Sequence, residues 1–246
     1  MKSIVITGCN RGLGLGLVKQ LLKIPKPPSY LIATCRDVEK AQELQKIRDS
    51  HSNVHILEID LKNFDAYKDF AAAVANIVQD DGLNVLFNNA GTSPKFTRLN
   101  LVKVEQLLET YITNTAAPVM LTKALLPLLK KASKNNTSGY GVDRAAVINM
   151  SSMLGSFELN TTGGLYPYRL SKAALNIATK SMSIDFKDDG IIFTSLHPGW
   201  VKTDLGGSKA PMEVEESTSS IVQLMLRLNK EHNGGFYQWD GQPMSW

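Results

Sequence analysis

Hydrophobic positions along the chain fall into two alternating periods. Short, nearly continuous apolar runs rich in β-branched residues occur as SIVIT (3–7), YLIAT (30–34), VHILEI (54–59), NVLFNN (84–89), AAVINMS (145–151) and IIFTSLHP (191–198). Between them, near 12–24, 38–50, 63–79, 103–131, 166–187 and 213–229, apolar residues recur at helical spacing. Runs with so little alternation are buried on both faces, which requires helices on both sides of a sheet. Each helical stretch is long enough for a right-handed crossover between parallel strands. The pattern predicts one α/β domain over residues 1–246, a doubly wound, mostly parallel sheet flanked by helices, with a late short strand at 236–239 on one edge.

Loop signals agree with this division. IPKPPS at 24–29 stops the first helix, because proline lacks the N–H and restrains the residue before it. KNNTSGYGVD at 134–143 reads as a loop before the fifth strand. No repeat or linker divides the chain.

Composition narrows the class. With 43% hydrophobic and 20% charged residues the chain is of ordinary globular type. A net charge of +4, spread along the sequence, gives nucleic-acid binding little support, and the grouping Lys130, Lys131 and Lys134 complements a helix C-terminus. Two cysteines, Cys9 and Cys35, lie in strand-end segments rather than in a disulfide framework, which favours a reducing compartment. The N-terminus opens on a strand and not on a signal segment, and no run of ~18 apolar residues marks a membrane span. The expectation is a cytoplasmic protein.

The first strand runs into TGCNRGLG, which puts Gly8, Asn10, Arg11, Gly12, Leu13 and Gly14 in a strand-to-helix turn. Glycines there let the backbone approach a ligand, and a helix N-terminus offers unpaired N–H groups to a pyrophosphate. The spacing is G-x3-G-x-G, not the general dinucleotide fingerprint. The next strands end in Arg36 and Asp37, in Asp60 and Leu61, and in Asn89, Ala90 and Gly91. Open α/β sheets bind ligands at such strand ends. For Asp60 a helix cap is the rival role.

TGxxxGxG at 7–14, NNAG at 88–91, Asn114, SS at 151–152, YxxxK at 168–172 and PG at 198–199 occur in this order. With these elements, which span nearly the whole chain, the sequence resembles the short-chain dehydrogenase/reductases. TGCNRGLGLGLV, HPGWVKTDLGG and GGFYQWDGQ make it similar to their small carbonyl reductases of the sniffer type. The resemblance implies a Rossmann fold binding NADP(H), reduction of a small-molecule carbonyl, and a catalytic set of Ser152, Tyr168, Lys172 and Asn114. It also implies that Lys172 holds the nicotinamide ribose, that Pro198 and Gly199 turn beneath the nicotinamide, and that Val201 and Thr203 bind its carboxamide. Pairing through the two long helices would make a homodimer. One departure stands out: Ser152 precedes Tyr168 by sixteen residues where the family commonly has thirteen, so FELNTTGGLYP carries about three extra. Ser151 is the neighbouring candidate; successive strand residues face opposite ways, and the family pattern favours Ser152.

The chemistry can be followed from the residues. Carbonyl reduction needs a hydride and a proton for the developing alkoxide. Lys172 lies one helical turn beyond Tyr168 on the same face, where an ammonium lowers a phenol's pKa against the effect of burial. Ser152 would hydrogen-bond the substrate oxygen. Pro118, four residues after Asn114, lacks the N–H that would bond the Asn114 carbonyl; the resemblance implies that this carbonyl holds a water linked to Lys172. Arg36 and Arg11 suit a 2′-phosphate, while Asp37 is placed to cap the next helix. Phe157, Leu159, Tyr166, Trp200 and Leu205 are candidates for an apolar pocket, and His197 for a structural group. Zinc-type ligand spacing is absent. Two other functions share the scaffold: a catalytically silent NADP-sensing regulator, disfavoured by the intact Ser, Tyr and Lys, and a nucleotide-sugar epimerase or dehydratase, disfavoured by the short chain after residue 205.

Overall fold

In the computed structural model, which describes residues 1–94, 98–137 and 139–246, seven strands form one sheet in the order β3-β2-β1-β4-β5-β6-β7. They are β1 (Ser3–Ile6), β2 (Tyr30–Cys35), β3 (Val54–Glu58), β4 (Val85–Asn88), β5 (Ala146–Met150), β6 (Ile192–His197) and β7 (Phe236–Gln238). Every ladder is parallel, including that of β7, so the sheet is wholly rather than mostly parallel. The chain reverses direction across the sheet between β1 and β4, the point where such folds open a crevice at the strand C-termini.

Alternation along the strands divides the core in two. Ile4, Ile6, Phe87, Ile148 and Leu196 point to one face, under α1 (Gly12–Lys23), with α2 (Gln42–Ser50) toward that edge. Val5, Leu86, Val147 and Phe193 point to the other, beneath α3 (Tyr67–Val78) and α5 (Ala117–Asn135), while α4 (Val104–Tyr111) packs against the helix that follows β5. The last two helices are α6 (Tyr166–Asp185), which packs on the second face along β6, and α7 (Val214–Leu226), which packs beside α1. The expected loop at 134–143 begins two residues late, after α5 ends; its Ser138 lies outside the described residues.

Two departures from expectation have local causes. The helix expected from 38 begins only at Gln42, because Asp37 accepts the Lys40 N–H at 3.2 Å and the Ala41 N–H bonds Val38: Asp37 closes a turn and is not the helix cap. The stretch 103–131 is not one proline-kinked helix. A π-turn, Ile112–Ala116, separates α4 from α5, with the Ala117 N–H reaching back five residues to Ile112, and Pro118 falls in the first turn of α5. The stretch Val104–Asn135 has the length and apolar character to cross a membrane, a property the run-length criterion passed over. Leu121, Leu125 and Leu129 of α5 are fully buried against the sheet, as in the core helix of a globular domain.

Candidate active site

At the C-terminal ends of the strands lies a cleft of about 660 Å³. Its nucleotide half is built on close backbone approach. A Cβ on Gly14 would stand 2.1 Å from the Gly8 carbonyl, so no other residue fits there without moving the turn. The Asn89 amide braces this turn, donating to the Thr7 carbonyl at 2.8 Å, while the Thr7 hydroxyl accepts the N–H groups of Asn89 and Ala90, each at 3.0 Å. No side chain caps the N-terminus of α1 and its first turn holds no acid, so its N–H groups and positive dipole end are directed at the cleft.

Gly8, Asn10, Arg11, Gly12, Leu13, Gly14, Arg36, Asp60, Leu61, Asn89, Ala90, Gly91, Pro198 and Thr203 all line the cleft. Gly199 and Val201 do not: Val201 is buried and bridges to Met212, and a Cβ on Gly199 would meet the Met212 sulfur at 2.9 Å. Asp60 accepts the Lys62 N–H at 3.0 Å and thereby closes a turn ahead of α3 without capping the helix. Arg36 is exposed on the wall and has no ion pair among the described residues, whereas Arg11 pairs with Asp204 at 2.6 Å across the cleft mouth. Lys40 at 2.6 Å occupies Asp37 and holds its carboxyl below the ordinary range.

The other half of the cleft contains Tyr168 and Lys172, both buried, on successive turns of α6. The Lys172 Nζ donates to the Met150 carbonyl at 2.6 Å and lies 5.7 Å from the centre of the Tyr168 ring. Burial pushes the Tyr168 phenol up to about 12, partly opposed by the Ser152 hydroxyl, and pulls the Lys172 ammonium down to about 7. Burial is therefore the dominant influence on the phenol, and the tyrosine holds its proton at neutral pH.

Ser151 lines the cleft but donates to the Asn176 side-chain amide oxygen at 2.6 Å, whereas Ser152, outside the cleft lining, hydrogen-bonds toward Tyr168 and accepts the Leu154 N–H at 3.2 Å. Asn114 is fully buried, and its side chain is committed: it accepts the Thr92 N–H at 2.8 Å and donates to the Thr92 carbonyl at 2.8 Å and the Ser171 hydroxyl at 3.0 Å. Asn114 is not among the residues that line the cleft. Of the five apolar pocket candidates Leu205 alone lines the cleft, while Phe157, Leu159 and Trp200 are exposed. His197 is buried, and desolvation holds it down to about 4, so it is neutral. Sequence reasoning missed Thr7, Asn176 and Arg169, whose roles depend on partners distant in the chain.

These features fit a dinucleotide: a glycine cradle that a Cβ would fill, an uncapped helix N-terminus and an unpaired arginine at one end, and a buried lysine and phenol at the other. A family described as short chain dehydrogenase matches residues 2–214. The solved carbonyl reductase Sniffer of D. melanogaster is 58% identical, with 100% of each chain covered and a TM-score of 0.99. An NADPH-bound carbonyl reductase from chicken fatty liver is 40% identical over 100% of this chain and 94% of its own, with a TM-score of 0.95. An uncharacterized oxidoreductase of Schizosaccharomyces pombe is 33% identical over 257 residues, 98% of this chain and 96% of its own length.

Proposed function

The chain belongs to the short-chain dehydrogenase family, and we propose that within it the protein is an NADPH-dependent carbonyl reductase converting an aldehyde, ketone or quinone to the alcohol. The observation that carries this reading is a buried phenol held protonated, next to a buried lysine, in the cleft onto which the glycine turn opens. The two similar solved structures are both described as carbonyl reductases, one with NADPH bound.

Gly8, Gly12, Gly14 and the start of α1 would hold the pyrophosphate, Asp60 and Leu61 the adenine side, and Arg36 a 2′-phosphate. Asn89, Ala90 and Gly91 would flank the nicotinamide ribose, which Lys172 would bind, with Pro198 and Thr203 bounding the nicotinamide end. Bound NADPH supplies the hydride. Tyr168 gives its proton to the carbonyl oxygen, and Ser152 donates a hydrogen bond to that oxygen as charge develops on it. The Lys172 ammonium favours the phenolate so formed. A water on the Asn114 carbonyl, which Pro118 deprives of its helical donor, returns the proton through Lys172.

The test is Tyr168→Phe, which keeps the ring and removes the proton. Turnover of an aromatic aldehyde should fall by ~10²–10⁴ with NADPH affinity unchanged; normal turnover would refute the assignment. A homodimer forms part of the proposal. Leu170, Ile177 and Ile184 recur every seventh residue on the outer face of α6, and with Leu108 and Tyr111 of α4 they leave a large apolar area exposed. Sedimentation should give a dimer that Ile177→Asp dissociates. The two free, buried cysteines suit the reducing cytoplasm.

A further inference from the structure

The geometry points to Arg169 as a positioning residue for Ser152, acting through the backbone of Leu154; the inference rests on Ser152 being the donor to the substrate oxygen. Arg169 follows Tyr168 on α6 and is only 8% exposed. A guanidinium does not lose its charge in a protein, and a buried one normally has a carboxylate beside it. Among the described residues Arg169 has no acidic partner. One arm donates to the Leu154 carbonyl at 3.4 Å and the other to the Thr162 hydroxyl at 2.9 Å, while its buried Nε–H has no partner. So large a desolvation, offset by two neutral acceptors, is hard to explain as a contribution to stability. What the two arms hold suggests a different purpose.

Leu154 is the middle residue of the turn Met153–Gly155, which Ser152 caps. Both of its backbone groups are engaged, the N–H by the Ser152 Oγ at 3.2 Å and the carbonyl by Arg169. The turn cannot sink further onto α6, since a Cβ on Gly155 would already stand 2.8 Å from Lys172 backbone carbon. A serine oxygen that accepts an N–H keeps its own proton to donate elsewhere. Fixing Leu154 therefore fixes the direction in which Ser152 donates. The second arm reaches Thr162 in the segment with about three extra residues, so one buried cation ties the serine turn and the adjoining loop to the helix bearing Tyr168.

The test is a double-mutant cycle with NADPH and an aromatic aldehyde. Arg169→Met should lower kcat about tenfold or more with NADPH affinity within about twofold, because Ser152 loses its alignment and not the cofactor its site. In a Ser152→Ala background the same substitution should change kcat less than about twofold. The pH profile of the reverse reaction should shift upward in Arg169→Met as it does in Ser152→Ala, since both remove the hydroxyl's support for the phenolate. Arg169→Lys should recover part of the rate, and it replaces Arg169→Met in the cycle if the latter does not fold. Multiplicative losses, or a wild-type rate and pH profile in Arg169→Met, would overturn the assignment to Arg169. Undiminished turnover in Ser152→Ala alone would instead overturn the reading of the site.

Discussion

Replacing Lys172 by methionine should abolish catalysis and make the apoprotein more stable. Burial takes the ammonium from its ordinary 10.5 to about 7. At about 1.4 kcal/mol per pH unit, the folded state bears up to about 5 kcal/mol for holding this charge. The unfolded chain keeps the proton until about pH 10.5 while the folded one sheds it near 7, so between these values the unfolded state binds more protons and stability rises with pH. Below about 7 both states are protonated and the penalty is complete. Other groups leave a clear window. Burial holds His197 down to about 4, so its contribution is complete by roughly pH 6.5. The Cys9 and Cys35 thiols are pushed up by burial and act with opposite sign only above roughly pH 8.5. From pH 7 to 8.5 the wild-type apoprotein should thus gain about 2 kcal/mol, whereas Lys172→Met should be flat. Methionine leaves the Met150 carbonyl without its donor, at ~1–3 kcal/mol, so the mutant should exceed wild type by ~2 kcal/mol or more at pH 6.5. Urea unfolding followed by tryptophan fluorescence at several pH values measures both quantities. Parallel slopes in the two proteins would show that Lys172 is not the titrating group.

Arg36→Asp should weaken NADPH by ~10–100-fold and NADH much less, as loss of a charge-assisted phosphate contact requires; equal effects in fluorescence titration would remove Arg36 from the 2′-phosphate. Gly14→Ala puts a Cβ 2.1 Å from the Gly8 carbonyl and should lower stability by ~1–3 kcal/mol along with cofactor affinity, which thermal melts with and without NADPH will show. Pro118→Ala restores an N–H able to bond the Asn114 carbonyl, and should slow turnover several-fold with NADPH affinity unchanged; a wild-type rate at every pH would remove the relay.

The layers of the fold were legible because they follow from local rules. Runs such as SIVIT and AAVINMS can be buried only between two helical layers, and proline at 25, 27 and 28 ends α1 where the sequence places its end. The glycine turn was legible for the same reason. The π-turn was not, since ITNTA carries no residue that distinguishes five-residue from four-residue bonding; the outcome depends on how α4 and the turn itself seat on α6. The family pattern favoured Ser152 over Ser151, but that Asn176 engages the Ser151 hydroxyl was not legible, since the two lie 25 residues apart. Nothing in the sequence singles out Arg169, whose burial depends on the folded loop at Leu154 and Thr162. Spacing placed Lys172 beside Tyr168, but four residues of separation do not reveal the depth at which both sit, which raises the phenol and lowers the ammonium.

The commitment of the Asn114 amide to Thr92 and Ser171 separates what a residue is from what it delivers. Its side chain is a fastener between the loop after β4 and the helix of Tyr168, while the atom proposed to hold the relay water belongs to a peptide bond that every amino acid has. Replacing Asn114 therefore unfastens the wall of the cleft before it touches proton transfer, and a slow Asn114→Ala enzyme would record loosened architecture. The proposed relay would instead be tested through the backbone, by the proline four residues on or by an ester in place of the following amide. By the same reasoning, a different side chain able to join those two elements would present the identical carbonyl, so the chemistry at this point is encoded as a position in space.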